Sequence, residues 1–122
     1  MAVDAERLAN AGVNLCLGTD SLATSAKSGK QKPELDLFAE MRFLAERDPG
    51  VSPAEIVRMA TVNGARALGL AGKTGELSKN AFADVIAIPG TGKIGNVHET
   101  VLQHTGTVSA SMIDGNWAIP LQ

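Results

Sequence analysis

The chain has 122 residues, of which 44% are hydrophobic and 20% charged, and its formal net charge is −2. These values are typical of a globular domain with its own core and exclude an intrinsically disordered chain. A near-neutral charge with few aromatic residues also argues against a nucleic-acid partner, because such proteins bind through basic surfaces and aromatic stacking.

The N-terminal ten residues contain Asp4, Glu6 and Arg7 and lack the apolar stretch of a signal peptide. No apolar run reaches the length of about 20 residues that a membrane-spanning helix needs. The single cysteine, Cys16, cannot form an intramolecular disulfide, and we expect it to be a small buried residue in a reducing compartment. We therefore expect a cytoplasmic protein with no membrane partner.

The first elements in chain order are a helix and a strand. Residues 1–11 predict a short helix that ends at Gly12. The apolar run 13–18 predicts a buried strand, because it begins with a β-branched residue and has glycine at both ends. A helix followed at once by a buried strand indicates an α/β fold with a parallel sheet.

A long polar loop and two helical regions follow. Residues 19–33 predict the loop, and residues 34–47 predict an amphipathic helix, since apolar residues recur there with helical spacing. The sequence Ser52-Pro53-Ala54-Glu55 predicts the start of the next helix, as a capping box with proline at the first helical position. Asn63-Gly64 is expected to interrupt this helix, with Asn63 capping a second short helical turn, residues 65–68, that ends at Gly69.

The composition changes near Gly72. From there the chain is rich in turn residues and short apolar segments, and Asp114-Gly115 between two such segments predicts a β-hairpin. We therefore divide the chain into an α/β part, residues 1–71, and an antiparallel β part, residues 72–122.

One polar sequence follows the predicted strand directly: Gly18-Thr19-Asp20-Ser21. In barrels and open α/β sheets, ligands bind beyond the carboxyl ends of the strands. A carboxylate there can bind a metal ion or act as a general base. The same position also suits an aspartate that shapes a turn or caps a helix.

Four segments occur together in one order: VNLCLGTDS at 13–21, LDLFAEM at 35–41, SPAEIVRMATVNGARALGL at 52–70 and GELSKNAFADVIAI at 75–88. In this combination the chain resembles the C-terminal portion of the amidohydrolase superfamily. The resemblance covers residues 2–119 and is greatest to the branch of cytosine, guanine and adenosylhomocysteine deaminases and triazine hydrolases.

The resemblance implies an α/β fold that is the C-terminal fragment of a (β/α)8 metal-dependent hydrolase barrel, of the TIM-barrel type, plus part of a small β-sandwich. Residues 1–71 would supply the last barrel strand, at 13–18, and the C-terminal helices. Residues 72–122 would supply the C-terminal strands of a composite β-sandwich that such enzymes build from both chain ends.

The resemblance also implies an activity and a site. Asp20 matches the family's strand-eight aspartate, which binds the catalytic divalent metal (zinc or iron) or moves the proton of the metal-bound water. Ser21 and Thr24 would lie on the substrate side of the site mouth, with loop shaping as their alternative role. The complete enzyme would hydrolyse C–N bonds, not peptide bonds, in cyclic or heterocyclic small molecules, as deaminases and chlorohydrolases do.

The chain lacks the rest of the family's metal ligands. The His-x-His pair is absent, and we expect the two histidines present, His98 and His104, on the surface or in the sandwich. A hydrolytic zinc site needs about three protein ligands, so we expect this chain alone to bind no metal and to be inactive. The alternative is a non-catalytic structural or interaction module derived from the amidohydrolase scaffold.

A barrel strand without its neighbours leaves unpaired backbone groups, which are costly to bury. We therefore expect residues 13–18 to pair with the chain's own β segments, with a second copy of the chain, or with the missing barrel. The turn at Asn80-Ala81 departs from the Gly-Lys turn of relatives, but asparagine tolerates the left-handed backbone that such a turn needs.

Overall fold

The computed structural model describes residues 4–20, 35–90 and 94–121. Within these residues the elements are, in chain order, α1 (Ala5–Asn10), α2 (Leu37–Arg47), α3 (Pro53–Ala60), α4 (Val62–Ala67), β1 (Val85–Ala87), a 3₁₀ turn (Ile94–Asn96), α5 (Val97–Gln103), β2 (Ala110–Ile113) and β3 (Asn116–Ile119). None of the helices in these three ranges has the length and apolarity to cross a membrane.

Side-chain caps start four of the helices. The side-chain oxygens of Asp4, Asp36, Ser52 and Asn96 each accept a hydrogen bond from a backbone N–H two or three residues further on, at 2.9–3.3 Å. Each cap satisfies an N–H group that the first helical turn leaves without a partner. The predicted start at Ser52 is confirmed, with Pro53 at the first position of α3.

The helical core lies where α2, α3 and α5 pack together. Its buried apolar side chains are Ala5, Met41, Val51, Ile56, Met59 and Leu102. Ile56 is fully buried and Met59 is 2% exposed. Both come from the apolar face of α3, so α3 is the central element of this core.

Part of the region after Gly72, which was predicted to contain only β structure, forms the helix α5. The prediction of β structure alone is wrong here because Leu102 is buried in the helical core, far along the chain from its partners on α2 and α3. Seven residues are too few for the apolar pattern to separate helix from strand. The division at Gly72 stays a prediction, and α5 packs against helices that precede it.

The three strands form one antiparallel sheet in the order β1-β2-β3. Val85 pairs with Met112, and Met112 pairs with Trp117. The predicted hairpin is confirmed: Asp114 and Gly115 have φ of +48° and +77°, as in the tight turn that suits two twisted strands. Asn80 has φ of +71°, so the turn expected there keeps its left-handed residue.

The predicted buried parallel strand at 13–18 is not found within the described residues, and its place as a barrel strand stays a prediction. Residues 13–20, which we call the Asp20 segment, run beside the helices but belong to no strand, and Val13 is 48% exposed. A strand is defined by a neighbouring strand, and within the described residues the segment has none. The expected pairing with the chain's own β segments is not found there, whereas pairing with a second copy or with the missing barrel stays a prediction.

Gly75 is positioned against the junction between α3 and α4. Its φ is +79°, and a Cβ atom built on it would lie 2.8 Å from the carbonyl oxygen of Thr61. Real Cβ atoms do not approach a backbone oxygen that closely. The position therefore requires both the left-handed freedom of glycine and its missing side chain.

We expect Gly75→Ala to lower the free energy of unfolding by roughly 2–4 kcal/mol, because the left-handed backbone and the clash with Thr61 add together. Gly72→Ala is the matched control: Gly72 has φ of +73° but nothing within 4 Å of its Cβ position. It should cost roughly 1–2 kcal/mol, from the backbone alone. Urea unfolding of the two variants measures the difference, and equal losses would contradict the close contact.

Candidate functional site

Asp20 lies at the carboxyl end of the Asp20 segment, where its side chain is exposed. Its φ of +56° is in the left-handed region, which aspartate enters more readily than most residues. Such conformations are enriched at functional sites. Ser21 and Thr24, the residues predicted on the substrate side, lie outside the described residues.

Backbone hydrogen bonds hold one edge of the Asp20 segment against the helices. Val13 donates its N–H to the carbonyl of Leu8 in α1 at 3.1 Å, and Leu17 donates to the carbonyl of Met59 in α3 at 3.0 Å. In an extended chain, alternate residues direct their N–H and C=O groups to the same edge. Helix carbonyls therefore occupy positions on this edge that a neighbouring strand would take in a sheet.

The side chain of Asn63 bonds the same edge of the Asp20 segment. Its Nδ2 donates to the carbonyl of Leu15 at 2.8 Å, and the Nδ2 of Asn14 donates to the carbonyl of Asn63 at 3.0 Å. Asn63 is buried, at 6% exposure. A buried amide must find partners to offset its lost hydration, and the Asp20 segment supplies one for it.

The predicted capping role of Asn63 is therefore not what the structure shows. The helix break occurs two residues earlier, at Thr61, whose φ and ψ are −128° and −96°, and Asn63 lies inside α4. Local sequence favours asparagine as a cap, but the contact that decides its role is 48 residues away along the chain. The available signal was an asparagine on the apolar face of a helical pattern.

The opposite edge of the Asp20 segment faces away from these helix partners. Within the described part of the chain, no backbone hydrogen bond is made by Cys16 or Gly18. Cys16 is exposed, so the expectation that it is buried is wrong. Its exposure follows from the absence of a strand beside this edge in the described residues.

The two histidines do not join Asp20. His98 is exposed on α5, as predicted, but His104 is buried in the helical packing, where its ring meets that of Phe38 at a centroid distance of 4.9 Å. The predicted surface or sandwich position of His104 is therefore wrong. It follows α5, a helix that its sequence pattern did not reveal.

No metal-binding cluster of three or more His, Cys, Asp or Glu side chains occurs among residues 4–20, 35–90 and 94–121. Asp20 is therefore the single predicted ligand for which the structure provides a position, and the described residues do not complete a metal site around it.

An open groove of about 570 Å³ runs between α1, α2 and the Asp20 segment. Its lining includes Leu15, Cys16 and Leu17 of the Asp20 segment and the carboxylates of Glu6 and Glu40. Asp20 does not line this groove. The groove is thus a separate feature from the candidate site.

Comparison with protein families identifies this architecture. The model of the Amidohydrolase family matches residues 2–118, nearly the whole chain. The chain belongs to the amidohydrolase family. The resemblance inferred from the four ordered segments is confirmed.

Among curated proteins, this amidohydrolase chain is 44% identical over 89 residues to a 5-methylthioadenosine/S-adenosylhomocysteine deaminase of Syntrophobacter fumaroxidans, covering 67% of the chain and 19% of that protein. It is 40% identical over 123 aligned positions to the corresponding deaminase of Thermococcus onnurineus, covering 90% and 27%. It is also 40% identical over 89 residues to a 5'-deoxyadenosine deaminase of Methanococcoides burtonii, covering 67% and 18%. The chain thus spans roughly a fifth to a quarter of these relatives.

Two solved structures share the fold of this amidohydrolase chain. One is an adenosine deaminase of Xanthomonas campestris with bound zinc, with a TM-score of 0.69, 29% identity, and coverage of 92% of this chain and 27% of that one. The other is an amidohydrolase with a TM-score of 0.65, 30% identity, and coverage of 93% and 24%. The mixed arrangement of helices and sheet described above is therefore part of an amidohydrolase fold.

We expect Asn63→Ala to lower the free energy of unfolding by about 1–3 kcal/mol, because the carbonyl of Leu15 loses its donor. Asn14→Ala is the control, since it removes the exposed partner and leaves the buried bond intact; it should cost at most about 1 kcal/mol. Urea denaturation followed by circular dichroism compares the two. A smaller loss for Asn63→Ala than for Asn14→Ala would show that the buried bond contributes little.

Proposed function

We propose that the chain is the C-terminal part of a metal-dependent amidohydrolase that removes the amino group of adenosine-type nucleosides. The observation that carries this proposal is the position of Asp20, exposed at the carboxyl end of an extended segment in a chain of this family. The relatives named as deaminases of 5'-substituted adenosines support the substrate class. Deamination of a heterocyclic amine is hydrolysis of a C–N bond.

The proposal gives the Asp20 segment the role of the last strand of a (β/α)8 barrel. Its open edge at Cys16 and Gly18 supports this, since a strand of the longer polypeptide can pair there. The sheet would belong to a composite β-sandwich, and its exposed apolar side chains need such a cover: Val85, Ile86, Ile113, Trp117 and Ile119 are 37–61% exposed. We also propose a cytoplasmic location.

The described residues fit a metal site only in part. Asp20 can supply one oxygen ligand, and the remaining ligands must come from other parts of the longer polypeptide. A divalent ion such as zinc, when bound, supplies an activated water for hydrolysis. Asp20 can accept a proton at a carboxylate oxygen and release it to the departing amine.

We expect Asp20→Asn in the full-length enzyme to lower kcat for 5'-methylthioadenosine or S-adenosylhomocysteine by a factor of about 10²–10⁴, because the amide cannot accept and return a proton. The absorbance change from an adenine to a hypoxanthine base measures the rate. Asp84→Asn is the control: Asp84 Oδ1 accepts from the N–H of Asp114 at 2.8 Å, a bond that asparagine can keep. Near-normal turnover by Asp20→Asn would refute the assignment.

Residues 1–122 alone should bind zinc only weakly and should not deaminate these nucleosides, because one carboxylate cannot replace about three protein ligands. Equilibrium dialysis with metal analysis, alongside the same assay, measures both. Stoichiometric tight zinc binding or measurable turnover by residues 1–122 alone would contradict the proposal. Full activity of the longer polypeptide after replacement of this region would favour the alternative, a non-catalytic module.

A further inference from the structure

We propose that Asn63 is a positioning residue for Asp20: it fixes the Asp20 segment from outside, through the carbonyl of Leu15. The inference rests on the proposed function and adds a residue to its site. It starts from a requirement of any such site, because a catalytic carboxylate must be held to within about 0.5 Å of its working geometry. Bonds from the helices to the Asp20 segment can hold Asp20 in this way.

Two anchors on successive helices hold the segment near its middle. Met59 ends the buried face of α3 and accepts from Leu17, and Asn63 in α4 donates to Leu15. The two contacts are two residues apart on the same edge of the segment. With the bond from Val13 to Leu8 they hold this edge of the segment at three positions, of which Asn63 supplies the middle one.

The Leu15 carbonyl of the Asp20 segment accepts from the side chain of Asn63. The other anchors are backbone carbonyls, which any side chain at those positions would also provide. The identity of residue 63 therefore decides whether the Leu15 anchor exists. An apolar residue of similar volume at position 63 would fill the same space and supply no donor.

A change in the position of the segment at Leu15 also moves Asp20. Asp20 lies five residues beyond Leu15, a span of roughly 16 Å in an extended chain. A small rotation of the segment at Leu15 therefore becomes a larger displacement at Asp20. Displacements of about 1 Å at a reacting centre can lower a rate about a hundredfold.

The test compares three variants of the full-length enzyme: Asn63→Leu, which removes the donor; Ile56→Val, which removes one methylene from the core cluster that Leu15 and Leu17 also pack against but leaves the Asn63 donor in place; and Asp20→Asn. We expect Asn63→Leu to lower kcat about tenfold or more while KM changes less than about twofold, because binding of the nucleoside does not depend on this anchor. Ile56→Val should leave both constants unchanged once the folded fraction is measured.

Hydrogen exchange gives a readout that does not depend on turnover. The Leu17 amide, bonded to Met59, should exchange faster in Asn63→Leu than in the unaltered enzyme, and Ile56→Val should leave it unchanged. If Asn63→Leu does not fold, Asn63→Ser takes its place, since a hydroxyl keeps a shorter donor; its loss of kcat should be smaller but still exceed that of Ile56→Val.

The outcomes separate the two proposals. If Asp20→Asn is inactive while Asn63→Leu matches Ile56→Val in kcat and in Leu17 exchange, the positioning role is overturned and the proposed function stands. If Asp20→Asn keeps near-normal turnover, both are overturned. A selective loss of kcat in Asn63→Leu with faster Leu17 exchange supports the positioning role.

Discussion

The need to satisfy backbone polar groups constrains the Asp20 segment more than any other feature of the chain. An extended segment presents N–H and C=O groups along two edges, and each group that loses water requires a partner. Here helix carbonyls accept from Val13 and Leu17 and the Asn63 amide donates to Leu15 on one edge. On the other edge, Cys16 and Gly18 make no backbone hydrogen bond within the described residues. This asymmetry keeps the segment extended without a sheet, and it leaves Asp20 exposed at the segment's end.

Features that depend on a few neighbouring residues were predictable from the sequence. The cap at Ser52 depends on a side chain and on a backbone N–H three positions away. The turn at Asp114-Gly115 depends on two residues that adopt the left-handed backbone conformation. Features decided by distant partners were not. Leu102 makes α5 a core helix, and Asn63 takes a partner 48 residues away; the local sequence of neither residue identifies its partner.

The same distinction between local and distant partners applies to the candidate site. The position of Asp20 after an apolar, extended run could be predicted, because composition and flanking glycines specify an extended backbone. The status of that run as a buried strand could not, since it depends on neighbouring strands that residues 4–20, 35–90 and 94–121 do not provide. The exposure of Cys16 is the clearest sign of this dependence, because its apolar pattern predicts a buried position and no strand covers it within the described residues.

The junction between α3 and α4 links the two halves of the chain. On one side, Met59 and Asn63 bond the Asp20 segment; on the other, Gly75 packs against the carbonyl of Thr61 at the start of the turn-rich region. A break in the helix at Thr61 makes both contacts possible, because it separates the direction of α3 from that of α4. The turn-rich region after α4 therefore contacts the same junction that bonds the Asp20 segment, and the proposed positioning of Asp20 depends on this junction.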